Sequence, residues 1–250
     1  MSQSCCIATI PLVRSLFEAL LSINYILENE KDYQRRSYSW LVDYIHQKLL
    51  ACEILDPSTS RGKEFQDAIS GDENLQSFAP ILTKQTDVQK VITNFQSWLK
   101  KPRLQEAEAE YQRLKKTRNR RPHWYQLFDG PSNLRELSKL LRQVECYNFL
   151  YPAWSSIVHG TDMLHLPHLL PKSSDKDPTS YPIRNPKGIE RLAGYTATFM
   201  LKATRLMLKK FRPGEEDTHA KWHESEVRER HRKLLAYAQQ SLCPLKEANK

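Results

Sequence analysis

The sequence is poor in glycine and in the alternating apolar and polar runs that are typical of β-strands. Only 7 of its 250 residues are glycine. Tight hairpins and half-exposed strands depend on these two features, so their scarcity argues against a sheet protein. A composition of 40% apolar and 27% charged residues is that of a folded chain. We therefore predict an all-α helical bundle that forms a single domain over 1–250.

Paired cysteines and metal-binding motifs are also missing. An odd number of scattered cysteines without a C-x-x-C motif predicts neither a disulfide framework nor a zinc site. Such usage is typical of a reducing, cytoplasmic setting. His165 and His168 lie three apart, but Pro167 interrupts the turn between them, so we expect no metal and no cofactor. The five cysteines are Cys5, Cys6, Cys52, Cys146 and Cys243.

The longest apolar segment, 7–27, has the length of a membrane span but contains two charged residues. Arg14 and Glu18 lie inside it. Each would cost about 2–3 kcal/mol in lipid. No basic stretch precedes the segment, so we expect no signal peptide. The segment is predicted to be a buried helix of a soluble protein, without membrane contact.

Basic residues outnumber acidic ones, with 38 against 29 and a net charge of +9. Such an excess favours polyanionic partners, although a merely solvated surface is the alternative. The excess is strongest in 100–123, which we interpret as a charged helix or mobile hairpin that acts as a basic arm. Trp124 and Tyr125, which follow it, could stack a base or simply anchor the next helix. The candidate nucleic-acid-binding residues are Lys115, Lys116, Arg118, Arg120 and Arg121.

Apolar periodicity and capping residues place the remaining elements. Ser132 or Asn133 can cap a helix in whose first turn Glu136 stands. The prolines of 165–186 predict a long surface loop. We expect helices at 31–55, 64–70, 86–100, 145–160 and 187–211, a loop at 56–64, and a charged C-terminal helix and tail over 217–250.

Two helices carry polar residues in apolar surroundings. Tyr147, Tyr151, Ser155 and His159 recur every fourth residue, so they share one helix face. Pro152 lies inside this pattern and predicts a kink. On the first helix Arg14 and Glu18 are also four apart and are expected to pair, with His159 as a third member. The alternatives are a surface salt bridge and the polar edge of a core helix.

Four segments carry a resemblance to a family. "PLVRSLFEALLSINYIL", "PHWYQLFDGPSNLRELSKLL", "YNFLYPAWSSIVHG" and "YPIRNPKGIERL" resemble a family of prokaryotic helical proteins described only as a domain of unknown function. That family has an R-x-x-x-E near its start and a later Y-x-x-x-Y-x-x-x-S-x-x-x-H helix. The matching positions are Arg14, Glu18, Tyr147, Tyr151, Ser155 and His159.

The pattern more distantly resembles the HEPN superfamily of helical bundles. Many of its members are metal-independent RNases of toxin–antitoxin and anti-phage systems, with an R-x(4–6)-H signature. "RNRRPH" matches this signature through Arg118 and His123. Pro122 opposes a single helix through both residues, because its ring would meet the carbonyl of Arg118. Arg118 and His123 are therefore the second choice after the Arg14 and His159 set.

The resemblance implies a metal-independent RNase-type effector of prokaryotic defence or of a toxin–antitoxin pair. His159 would take the proton of a ribose 2′-hydroxyl, and Arg14 would stabilise charge on the phosphate. Glu18, Tyr147 and Ser155 would hold these groups in place. RNA, an antitoxin or defence partner protein and a second copy of the chain are the expected partners. The alternatives are a non-catalytic binding module with a structural Arg, Glu and His cluster, and a membrane-associated effector.

Overall fold

The computed structural model describes residues 6–72, 88–158, 189–233 and 236, and this part of the chain is helical. No strand occurs in it, so the all-α prediction is confirmed. The chain divides into two compact units, one formed by Met1–Glu28 with Ser138–Lys250 and the other by Asn29–Leu137. We call them the outer unit and the inserted unit and describe each by itself. The predicted single domain over 1–250 stays a prediction.

The described helices of the outer unit surround the apolar N-terminal segment. Its first helix packs against the helices before and after the segment 159–188. Phe17 and Leu21 are fully buried, and the ring of Phe17 lies 5.3 Å from that of Phe199. The elements are α1 (Cys6–Leu27), α7 (Val144–Val158), α8 (Ile189–Phe211), α9 (Glu216–Trp222) and a π-helix (His223–Arg228). A further helix, α6 (Leu134–Leu140), crosses the boundary between the units.

The inserted unit is built on two long helices that pack along each other. Their shared core contains Val42 and Ile45 from the first and Leu104 and Tyr111 from the second, each at most 1% exposed. Within the basic segment 100–123, residues 102–118 form a helix with a buried face. The role of the segment as a basic arm stays a prediction. The elements are α2 (Tyr33–Leu55), α3 (Ser60–Gly71), α4 (Val88–Leu99), α5 (Pro102–Arg118) and a 3₁₀ turn (Trp124–Gln126).

Helix ends follow local side-chain chemistry. Asn133 accepts a hydrogen bond from the backbone N–H of Glu136 at 2.9 Å, as the predicted cap of α6 requires. The loop predicted at 56–64 is shorter, because Thr59 accepts from the N–H of Gly62 and starts α3 at Ser60. The proline-rich loop predicted at 165–186 lies outside the described residues.

The N-terminal helix contains one stretch, Ile10–Leu27, that is long and apolar enough to cross a membrane. No other such helix occurs among the described residues. Its inward residues pack on the other helices of the outer unit, with Phe17, Leu20 and Leu21 at most 2% exposed. The cytoplasmic location stays a prediction.

Candidate functional site

The first candidate site is centred on Arg14, on the side of α1 that meets α7. The guanidinium donates from Nε to Oε1 of Glu18 at 3.0 Å and from Nη2 to the Tyr151 hydroxyl at 2.5 Å. The Cζ atom of Arg14 also lies 4.4 Å from the centre of the Tyr151 ring, at cation–π distance. The arginine of the first motif and the second tyrosine of the later motif are thus direct partners.

Electrostatics in this cluster favour a charged arginine and a neutral tyrosine. Burial, which lowers the pKa of Arg14, is outweighed by the Glu18 hydrogen bond and by the attraction of Tyr151 and Glu18, so that pKa is raised. Burial and the charge of Glu18 together raise the pKa of Tyr151, against the opposing effect of Arg14. At neutral pH the Tyr151 hydroxyl keeps its hydrogen and can donate it.

Tyr147 extends the cluster by one helical turn. Its ring is stacked on that of Tyr151, with centres 4.6 Å apart and planes 16° from parallel. The third partner expected for the Arg14–Glu18 pair was His159, whereas the structure gives Tyr151 this place. His159 lies outside the described residues. Ser155 belongs to α7, but its side chain also lies outside them.

The cluster is half open to solvent. The side chain of Arg14 is 17% exposed and that of Glu18 is 39% exposed. The described residues engage only two of the five guanidinium N–H donors. An arginine held by a carboxylate and a hydroxyl, with donors to spare, can bind a phosphate through its remaining fork.

The "RNRRPH" segment does not lie on one helix. Helix α5 ends at Arg118, and Asn119 is left-handed with φ of 48°. His123 then precedes the 3₁₀ turn, to which it is joined by a hydrogen bond from its backbone N–H to the side chain of Gln126. Arg118 and His123 are both exposed. Pro122 explains why no single helix contains both Arg118 and His123, because its ring would meet the carbonyl of Arg118 in such a helix.

The basic candidates differ in their contacts. Lys115, Lys116, Arg118 and Arg120 are exposed, and no acidic residue of the described part pairs with them. Arg121, in contrast, donates from Nε to the Tyr111 hydroxyl at 3.2 Å and from Nη2 to Asp43 at 3.3 Å. Trp124 and Tyr125 are each only 8% exposed. The burial of both rings does not support the interpretation of this pair as a base-stacking surface. It supports the alternative, in which the pair anchors the next helix.

A polar network between α2 and α5 has no counterpart in the motif analysis. His46 Nε2 lies 2.7 Å from Glu108 Oε2, and Gln112 donates to the other oxygen of Glu108. The His46 ring is stacked on Tyr111 at 4.2 Å and 5°. A carboxylate only accepts, so Nε2 carries the hydrogen. In the sequence, only the helical spacing of Glu108, Tyr111 and Gln112 indicates that these residues share a face. That spacing does not identify His46 as their partner.

No group of three or more histidine, cysteine or acidic residues in the described part of the chain could hold a metal ion. His165 and His168 lie outside that part. The described groups at Arg14 are a guanidinium, a carboxylate and two phenols. These groups bind and orient an anion and stabilise negative charge.

The fold and this cluster define the class as an all-helical protein whose two motif segments meet at Arg14 and Tyr151. Residues 2–177 match a family of unknown function, DUF5677, and the chain belongs to that family. The match covers α1 to α7 and therefore both motif segments. Among curated proteins and among solved structures there is no significant match.

Proposed function

We propose that this protein is a metal-independent ribonuclease-type effector of a prokaryotic defence or toxin–antitoxin system, with Arg14 as the phosphate-binding residue. One observation supports the proposal above others, namely the hydrogen bond between Arg14 and Tyr151. It joins the two motif segments through which the chain resembles the family of unknown function, whose pattern is more distantly similar to that of HEPN proteins. The same resemblance extends the proposal to a cytoplasmic homodimer that is neutralised by a partner protein.

The proposed reaction is transfer of the RNA phosphate to the neighbouring ribose. His159, as a neutral imidazole, takes the proton of the 2′-hydroxyl, and the 2′-oxygen bonds to phosphorus. The bond to the 5′-oxygen breaks, and that oxygen takes a proton from water. The products are a 2′,3′-cyclic phosphate and a 5′-hydroxyl end. Arg14 stabilises the negative charge on the phosphate oxygens during this step.

The other residues of the cluster would position these groups. Glu18 accepts a hydrogen bond from Nε of Arg14 and would hold the guanidinium in place beside the phosphate. Tyr151, with its raised pKa, would offer a hydroxyl hydrogen bond to the phosphate. Tyr147 holds the Tyr151 ring by stacking. Ser155 is proposed as a further hydrogen-bond partner of His159.

A non-catalytic binding module is the second candidate, and the pairing of Arg14 within the chain favours it. Glu18 and Tyr151 engage two of the guanidinium donors, and the Tyr151 ring covers one face of the guanidinium. A cluster of this kind can hold α1 on α7 without touching a substrate. In that case removal of Arg14 lowers stability by about 1–3 kcal/mol through unsatisfied partners.

Incubation of the purified chain with total RNA in EDTA distinguishes the two candidates. We expect the wild type to cut RNA and to leave cyclic phosphate ends. Arg14→Ala and His159→Ala should each lower the cleavage rate about 100-fold or more. Arg205→Ala, which removes an exposed arginine of α8 in the same unit, is the matched control and should cut like the wild type.

Thermal unfolding of the same variants separates chemistry from stability. The ribonuclease proposal requires that Arg14→Lys, which keeps the charge but not the bidentate fork, lose cleavage while remaining folded. If no RNA is cut, or if His159→Ala and Arg14→Ala cut as fast as the wild type, the chain is not the proposed enzyme. The binding-module candidate then stands on the loss of stability alone.

A further inference from the structure

We propose that the inserted unit binds single-stranded RNA along one face of α2, in a track that runs from Trp40 to a groove at Arg121. The choice of RNA rests on the proposed function, whereas the track itself rests on the contacts of this unit. It would hold the substrate by contacts other than those of Arg14. None of its α2 residues belongs to the motifs described above.

The groove lies where α2 faces the segment after α5. It has a volume of about 480 Å³, and its lining includes Leu50, Ile54 and Pro122 as apolar walls. Its polar lining is Asp43, Gln47, Arg121 and His123. A space of this size, with both apolar walls and fixed polar groups, suits a small planar group such as a nucleobase.

The polar groups of the groove are held in place by one another. Asp43, whose side chain is 5% exposed, accepts from Arg121 through Oδ1 and from Gln47 through Oδ2 at 3.2 Å. Arg121 is held further by the Tyr111 hydroxyl. These bonds orient the guanidinium and the amide, which together present donors and an acceptor to the groove. Fixed groups of both kinds can read the edge of a base.

An exposed aromatic pair continues the same face of α2. Trp40 and Tyr44 are 43% and 37% exposed, and their rings are stacked with centres 5.5 Å apart and planes 11° from parallel. Their positions, followed by Gln47 and Ala51, have the four-and-three spacing of a single helix face. Exposed aromatic rings beside a groove are the usual platform on which unpaired bases stack.

Exposed cations lie close to the track residues in the sequence. Lys115, Lys116, Arg118 and Arg120 precede Arg121 within one short stretch, are exposed, and have no acidic partner among the described residues. Lys48, on α2, lies 5.3 Å from the centre of the Tyr44 ring. An acidic protein would use the cations but not the aromatic rings and the base-sized groove. The combination therefore favours a single-stranded nucleic acid over an acidic peptide.

Fluorescence anisotropy with a labelled single-stranded RNA of about 12 nucleotides tests the track. The titration is made in EDTA at about 50 mM salt, where the cationic contribution is large. His159→Ala serves as the background if the wild type cuts the probe. Ala51→Trp should fill the groove and raise the Kd about tenfold, the equivalent of one lost base contact. Ala68→Trp, at an exposed position of α3 outside the groove lining, should leave the Kd within about twofold.

A second pair of variants tests the aromatic part without changing the groove. Trp40→Leu should weaken RNA binding about fivefold to tenfold, whereas Trp40→Phe keeps a ring and most of the affinity. Unchanged binding in both Ala51→Trp and Trp40→Leu would overturn the track. So would a preference for poly-glutamate over RNA in competition.

Binding and cleavage are scored separately, so that the two proposals can fail separately. Groove-dependent binding without any cleavage supports the track and contradicts the ribonuclease. Cleavage at wild-type rate by Ala51→Trp, with unchanged affinity, supports the ribonuclease and contradicts the track. An absence of RNA binding by the folded wild-type protein at low salt contradicts the track.

Discussion

At Arg14 the short motif predicts the partner on the same helix but not the partner on another helix. The four-residue spacing predicts the Arg14–Glu18 pair, and the structure confirms it at 3.0 Å. The same spacing predicts a shared face for Tyr147 and Tyr151, which stack. The sequence does not indicate that Tyr151 meets Arg14, because that contact depends on which helix packs on α1. Tertiary packing, rather than local spacing, selects the partner.

Gly62 provides a sharper test of a single position. A Cβ atom there would lie 1.8 Å from the carbonyl oxygen of Asp56, so the start of α3 and the end of α2 would have to separate. We expect Gly62→Ala to lower the free energy of unfolding by about 1–3 kcal/mol, as overpacked sites do. Urea unfolding monitored by circular dichroism measures the change.

Gly71→Ala is the matched control, because no atom lies within 4 Å of a Cβ at that position at the other end of α3. This variant should be neutral or slightly more stable, since alanine favours a helix over glycine. Equal stabilities of Gly62→Ala and Gly71→Ala would contradict the close approach at Asp56.

Helices are the level at which sequence patterns succeed best here. The predicted segments 7–27, 31–55 and 187–211 correspond to α1, α2 and α8 within a few residues. Apolar periodicity and the scarcity of glycine carry this information. The π-helix at His223–Arg228 was not predicted, because its wider hydrogen-bond register has no distinct composition. The groove-facing residues of α2 were also missed, although the spacing of Trp40 and Tyr44 could have indicated a common face.

The junction between α2 and α3 should respond to acid. The side-chain and backbone hydrogen bonds from Ser58, with a further one from Gln89, hold the pKa of Asp56 below its usual range against the effect of burial. Such a carboxylate stabilises the fold at pH values above the ordinary carboxyl pKa of about 4. That contribution is lost as the pH falls through the lower pKa of the folded state.

Urea unfolding of the wild type and of Asp56→Asn, from neutral pH to strong acid, tests this contribution of Asp56. The quantity compared is the difference between the free energies of unfolding of the two proteins. Asp56→Asn should be the less stable protein at neutral pH, and the difference should shrink as the pH falls below about 4. Asp67→Asn, an exposed position of α3, serves as the control and should run parallel to the wild type. A difference that grows in acid would contradict the assignment.

The whole chain carries a net charge of +9. For RNA binding, the places at which the basic residues lie matter more than the size of this net charge. If the unpaired cations at the end of α5 contact phosphates, RNA affinity must fall steeply with salt. Lys115→Ala combined with Lys116→Ala should reduce the slope of log Kd against log salt by about 1.4, because each of the two contacted phosphates of a single strand contributes about 0.7.

The control removes the same number of charges from the other unit. Lys202→Ala combined with Lys209→Ala changes two exposed lysines of α8 and should leave the slope unchanged. Equal slopes in the two double variants would show that only net charge matters and would contradict a local RNA contact. Anisotropy titrations at several salt concentrations provide both slopes.

The order of the helices along the chain affects how the protein is made. During synthesis α1 leaves the ribosome first, yet Phe199, which covers Phe17, is translated after the whole inserted unit. At ordinary elongation rates this delay is about ten seconds or more. A nascent chain that stops before α8 therefore lacks the helix that covers Phe17, and such truncated products should be captured by chaperones or degraded.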